Sequence, residues 1–129
     1  VSESKALNYS ASDLDLLARL ITAEAQTQDY QAQVAVGAVV VNRVKYKTFE
    51  NTISGVINEV IDGYYQFTPV QTGWINRPAT PESIKAAKEA LNGVDPTNGA
   101  LFYFDKSATN KWLLSRPVSI RIDDMIFTY

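Results

Sequence analysis

The chain has 129 residues, a formal net charge of −2 and neither histidine nor cysteine. That length suits one domain with its own core, and the acidic balance gives a nucleic-acid partner no electrostatic support. Without His or Cys, Ser-His-Asp and Cys-His catalysis are excluded and the usual zinc ligand sets are missing. No EF-hand spacing of oxygen ligands occurs either, so no metal or other cofactor is expected and acid–base chemistry must rest on carboxyl groups.

Residues 1–11 are polar and read as a loose lead-in to a single domain over 12–129. Residues 1–8 do not read as a secretory leader, and no apolar run is long enough to span a membrane. Ser12 and Asp15 form a capping-box pattern, with Asp in place of Glu, that opens a first helix. In that helix Leu17, Leu20 and Ile21 stand seven, four and three residues before Glu24, which puts a carboxylate on the apolar stripe. Such a carboxylate is costly unless paired or protonated. Partial desolvation raises its pKa, which is what a general acid needs near neutral pH. By spacing alone, a solvated carboxylate at a frayed helix end fits equally well.

Asp29 caps a second helix reaching about Arg43. Its stretch 34–41 is apolar all round and fits a buried helix or a buried strand; the length of the pattern favours the helix. Gly37 and Ala38 would let a neighbouring helix approach closely. Ile53, Val56, Ile57 and Val60 predict a third helix, ended by Gly63. The aromatic-rich segment 64–74 reads as irregular. Thr80 as N-cap and Pro81 at the first helical position open another helix, with Gly93 just past its end. Ile84, Ala87, Lys88 and Leu91 are its expected inner face. A turn cluster at 95–99 precedes strands at 100–104, 118–122 and 125–129, the last two joined tightly through Asp123 and Asp124. Helices first and short strands last make an α+β domain.

Four segments read together are more specific: LLARLITAEA at 16–25, QVAVGAVVVNRV at 33–44, QFTPV at 66–70 and ALNGVDPTNGALFYF at 90–104, with Lys111, Trp112, Ser115, Arg116 and Pro117 beyond. In this order they resemble the catalytic domain of the SleB-type cell-wall hydrolases, the spore cortex-lytic enzyme family. The resemblance covers most of the chain. It implies a lysozyme-like fold, a small antiparallel sheet from the C-terminal strands, and cleavage of peptidoglycan glycan strands outside the cytoplasm, in cell wall or spore cortex. A monomer is expected, with peptidoglycan as its partner. The family's catalytic acid maps onto Glu24. Many members carry a Gly and a His near the C-terminus, where this chain reads Ile120 to Phe127 without either.

A two-carboxylate glycosidase needs a partner for Glu24 across the scissile bond. Glu59, Asp62, Asp95 and Asp105 are candidates, but none stands in a recognisable catalytic motif. The resemblance favours a lytic transglycosylase, in which Glu24 serves first as acid and then as base. A hydrolytic muramidase and a glycan-binding module without turnover are the alternatives; a carboxyl on an apolar stripe argues against the second. Gln66 and Thr68 are expected to wall the sugar groove, in a stretch that also resembles resuscitation-promoting-factor domains. Phe67 belongs with them, although a core position suits its ring better. Gln71 fits the groove or a solvated loop equally. Strand alternation puts Tyr103 opposite Phe102 and Phe104, so Tyr103 reaches the cleft near Glu24 if the Phe pair faces the core. Trp112 fits a sugar-stacking or a structural role, and Trp74 fits the structural role better. Arg43 is read as a cation suited to a helix C-terminus, and Arg116 as structural.

Overall fold

The structure, a computed structural model, describes residues 2–3 and 7–129, with side chains from Leu7 onward. Helices lead and small antiparallel sheets follow, the α+β order expected. Of the expected lead-in, residues 1 and 4–6 lie outside the described residues. Within it, Ser2–Glu3 (β1) pairs with Val94–Asp95 (β4), and the Leu7 N–H donates to the Leu91 carbonyl at 3.0 Å.

Helix α1 runs Ala11–Ala25. Its capping box lies two residues upstream of the expected one. Ser10 Oγ accepts from the Asp13 N–H at 3.1 Å, and Asp13 Oδ2 accepts from the Ser10 N–H at 3.0 Å. Both positions match the pattern, but opening at Ser10 leaves Asp15 free to pair with Arg19 one turn on, at 2.8 Å. Leu17, Ala18, Leu20, Ile21 and Ala25 are buried.

Helix α2, Tyr30–Lys45, is the central helix, buried continuously from Ala32 to Val41. Asp29 is its N-cap by position, without a side-chain capping bond. Helices α1, α3 (Ile53–Ile57) and α5 (Pro81–Leu91) pack on it. A Cβ on Gly37 would stand 2.8 Å from Ala90 Cβ and 3.2 Å from Ile21 Cδ1, so the three helices meet where only hydrogen fits. That contact explains a second correction. The inner face of α5 is Ser83, Ala86, Ala87, Ala90 and Leu91, while Ile84 is 37% exposed and Lys88 also faces out. Small side chains permit the close approach; Ile84 on that face would hold the helices apart.

The third helix stops at Ile57 rather than Gly63. Val60–Ile61 (β2) pairs instead with Tyr64–Tyr65 (β3) through a turn whose Asp62 and Gly63 have φ of 54° and 82°. Asp-Gly favours such a left-handed pair, which overrides the helical spacing of Val60. A single-turn helix α4, Thr68–Thr72, follows, then a 3-10 turn at Trp74–Asn76. After α5, strands β5 (Phe102–Asp105), β6 (Val118–Ile122) and β7 (Met125–Thr128) form an antiparallel sheet in the order β5-β7-β6. The short helix α6, Lys111–Leu114, lies between β5 and β6.

Candidate active site

Glu24 is the penultimate residue of α1, and three contacts fix that helix end. Thr22 Oγ1 donates to the Ala18 carbonyl at 2.9 Å and accepts from the Thr80 N–H, the N-cap of α5, at 3.1 Å. Arg19 Nη1 donates to the Ile75 carbonyl at 2.7 Å. On the far side, the β6–β7 turn is tied to the α1–α2 loop, because the Asp29 N–H donates to Asp123 Oδ2 at 3.0 Å and the Asp124 N–H to Gln28 Oε1 at 3.2 Å. These ties bring Gln28 and Met125 to Glu24.

The recess around Glu24 holds about 270 Å³ and is walled by Arg43, Gln66, Phe67, Thr68 and Tyr103, with Phe104, Asp105 and Met125 closing its sheet side. Burial raises the Glu24 pKa to about 7, with a further rise from the Asp105 charge; the Tyr103 hydroxyl works against both. A carboxyl in that range can give up a proton and take it back near neutral pH.

Tyr103 sits opposite Phe127 in the sheet register, and its ring lies 5.9 Å from that of Phe127 and 6.3 Å from that of Phe67. Tyr103 reaches the cleft beside Glu24 as expected, but the Phe pair does not share one core face: Phe104 is buried and also lines the recess, whereas Phe102 does not. Tyr103 packs against the core, while Phe102 turns toward Trp112 with ring centroids 5.2 Å apart. The Tyr103 hydroxyl is buried and makes no hydrogen bond of standard geometry, yet lies close enough to Glu24 to favour its carboxylate form. Burial, then the Glu24 charge, hold the tyrosine pKa well above its ordinary value, so Tyr103 is a donor at any working pH.

Arg43 stands in the last turn of α2, as expected, but it is buried rather than solvated. It is 5% exposed, donates from Nε to the Leu101 carbonyl at 2.7 Å, and lies 4.9, 5.1 and 5.0 Å from the ring centres of Phe49, Phe67 and Phe102. Its Nη1 is buried without a partner. Desolvation lowers its pKa, with Tyr103 and Glu59 opposing. The aromatic cage replaces hydration with cation–π contact.

Two further recesses extend the cleft. One, of about 270 Å³, shares Arg43, Gln66 and Tyr103 with the central recess and continues to Tyr65, Asn110 and Trp112. The other shares Glu24 and Thr68 and reaches Thr72 and Trp74. Five of the seven site residues expected from sequence thus wall the central recess, and Trp112 stands in the adjoining one. Gln71 is exposed and lines none of the three. Thr68 and Thr72, four apart on α4, share the groove side.

The four candidate second carboxylates separate clearly. Asp95 is buried and accepts from Thr97, Gly99 and Asn42, so it organises the turn before β5. Asp62 occupies the β2–β3 turn, and Glu59 Oε1 is buried without lining any of the three recesses. Asp105 alone shares the recess with Glu24; hydrogen bonds from Ser107 hold its pKa below the ordinary carboxylate value. Gln28 and Met125 also line the recess and carry no signal in the sequence, since only the tie between the β6–β7 turn and the α1–α2 loop brings them in.

The family model described as Cell Wall Hydrolase matches residues 27–128. The catalytic domain of the germination-specific lytic transglycosylase SleB from Bacillus anthracis superposes with a TM-score of 0.86 at 40% identity, covering 95% of this chain and 98% of that one. The catalytic domain of Bacillus cereus SleB gives 0.85 at 41% identity, covering 95% and 93%. The spore cortex-lytic enzyme of Bacillus cereus is 42% identical over 120 residues, 92% of this chain, and the chain spans only 45% of that relative's length. The chain belongs to the Cell Wall Hydrolase family, and its fold is that of a SleB-type catalytic domain.

Proposed function

We propose that this domain cleaves peptidoglycan glycan strands between N-acetylmuramic acid and N-acetylglucosamine, as a lytic transglycosylase with Glu24 as its one acid–base group. The observation that carries the reading is the Glu24 carboxyl, raised to about 7 inside a cleft lined by polar and aromatic side chains. Protonated Glu24 gives its proton to the bridging oxygen as positive charge develops on the sugar. The resulting carboxylate takes the proton from the muramoyl O6 hydroxyl, which bonds to C1 and closes a 1,6-anhydro ring. The Tyr103 hydroxyl supports the carboxylate between the two transfers, and Gln66, Thr68 and Trp112 hold the strand. Phe67, 3% exposed, shapes the wall from behind. The relatives' names, a spore cortex-lytic enzyme and a germination-specific lytic transglycosylase, support action on spore cortex during germination, and action outside the cytoplasm is part of the proposal.

Asp105 supports a second reading. It is an ionised carboxylate facing a raised one, the pattern by which glycosidases divide acid and stabiliser roles. In a hydrolase it would activate water or shield the sugar cation. Mass spectrometry of digested peptidoglycan separates the readings. Glu24→Gln is expected to lower turnover on the order of 10²–10⁴-fold, and the intact domain to leave anhydro-muramic ends that persist in Asp105→Asn. Reducing ends from the intact domain, with loss of turnover in Asp105→Asn, would establish the hydrolase. A Glu24→Gln domain that cleaves at the parent rate would remove the acid assignment altogether.

A further inference from the structure

The groove does not end at Glu24. Glu24 also lines a recess of about 280 Å³ together with Ala23, Thr68, Pro69, Thr72 and Trp74. That recess shares no residue with the Trp112 recess, and the central recess that Glu24 lines adjoins both. The three recesses are nearly equal in volume, which suits a polymer of similar-sized rings laid along them.

Trp74 is 50% exposed, yet its position is tightly set. It opens the 3-10 turn after Gly73, whose φ of 86° a side chain would strain. The next residue, Ile75, is 6% exposed, and its carbonyl is the one that Arg19 of α1 holds. The turn bearing Trp74 is therefore fastened to the helix bearing Glu24. The Arg77 guanidinium carbon lies 3.9 Å from the Trp74 ring centre, covering one face of the indole. Trp112 has the same arrangement, 54% exposed with the Arg116 guanidinium carbon 5.0 Å from its ring centre. A cation over one face fixes the plane of an indole, and neither arginine lines the recess that its tryptophan lines.

We propose that Trp74 is a second sugar-stacking platform, on the opposite side of Glu24 from Trp112, so that a glycan strand is held on both sides of the bond to be cleaved. The proposal rests on the reading of the domain as a glycan-strand cleaver and adds a binding position to it. It makes the Trp74 arm a determinant of strand affinity without a part in proton transfer.

The chain has two tryptophans, which makes each one observable. In a Glu24→Gln background, Trp112→Phe leaves Trp74 as the sole indole, and Trp74→Phe leaves Trp112. Titration with peptide-free glycan strands prepared from peptidoglycan is expected to shift the emission of both reporters along the same saturation curve. A Trp74 signal that stays flat while Trp112 responds would overturn the platform and leave the cleavage reading intact. If neither variant binds the strands, as measured independently by co-sedimentation with peptidoglycan, both readings fall. In the active domain, Trp74→Ala is expected to raise the half-saturating strand concentration about tenfold, the effect of truncating an aromatic anchor. The pH–rate profile and the product ends should not change. A lowered kcat at unchanged KM would count against the platform.

Discussion

A carboxyl held at about 7 is divided between acid and base forms at neutral pH, and the groups around Glu24 set that balance in opposite directions. The Tyr103 hydroxyl lowers its pKa and the Asp105 charge raises it. If protonated Glu24 is the form that starts the reaction, the rate falls as pH rises through its pKa. Tyr103→Phe removes the lowering influence, so the alkaline limb of the pH–rate profile should move to higher pH. Asp105→Asn removes the raising influence, and the limb should move to lower pH. Stopped assays of anhydro-end formation across pH 5 to 9 would read both. Shifts in the same direction would mean that Glu24 does not govern the limb. Asp105 is the informative member of the pair, because its exposed position predicts a smaller shift than the removal of a buried hydroxyl.

At the scale of elements, the contact between α2 and α5 decides how the helix that carries Glu24 is seated. Gly37→Ala would gain helix propensity, worth up to about 1 kcal/mol, but would drive a methyl into Ala90 Cβ. Neither atom sits on a flexible arm, so overpacking should win, with a net loss of about 1–3 kcal/mol in urea unfolding. Adding Ala90→Gly should restore part of that loss through a favourable coupling. Additive losses in the double variant would show that the clash is relieved elsewhere. The same contact marks how far sequence reasoning reached. The three main helices and the C-terminal hairpin were legible because period and caps act locally, whereas spacing left Glu24 open between a cleft carboxylate and a solvated one, and only the family resemblance favoured the first. The inner face of α5 was not legible, because a small-residue face reads as weakly apolar until its partner glycine is known. Val60 misled for a related reason: its helical spacing was genuine, and the Asp62-Gly63 turn outweighed it. Gln28 and Met125 carried no local signal, since residues nearly a hundred positions apart meet there.

At the scale of the whole molecule, the site is a source of instability that the fold carries. Four elements converge on Glu24 without giving it an ion pair among the described residues: α1 supplies the residue, α4 and β5 wall the recess, and the β6–β7 turn closes it. The native pKa is about 7 against an ordinary value of 4.5. Between those two pH values the unfolded chain has released the proton and the folded chain still holds it. Stability therefore falls as pH rises through that window and levels off above about 7, a loss of at most about 3 kcal/mol. Glutamine matches the protonated carboxyl in shape and hydrogen bonding but never ionises. Glu24→Gln should accordingly unfold at a higher temperature than the parent at pH 8, by several degrees for a domain of this size. The gap should close at pH 4, where the parent carboxyl is protonated in both states. Melting curves at the two pH values, with Trp74→Phe and Trp112→Phe variants that keep Glu24 as controls, measure that difference directly. A stability gap that does not depend on pH would mean that burial does not hold the carboxyl in its acid form, and the proton donor in this cleft would have to be sought elsewhere.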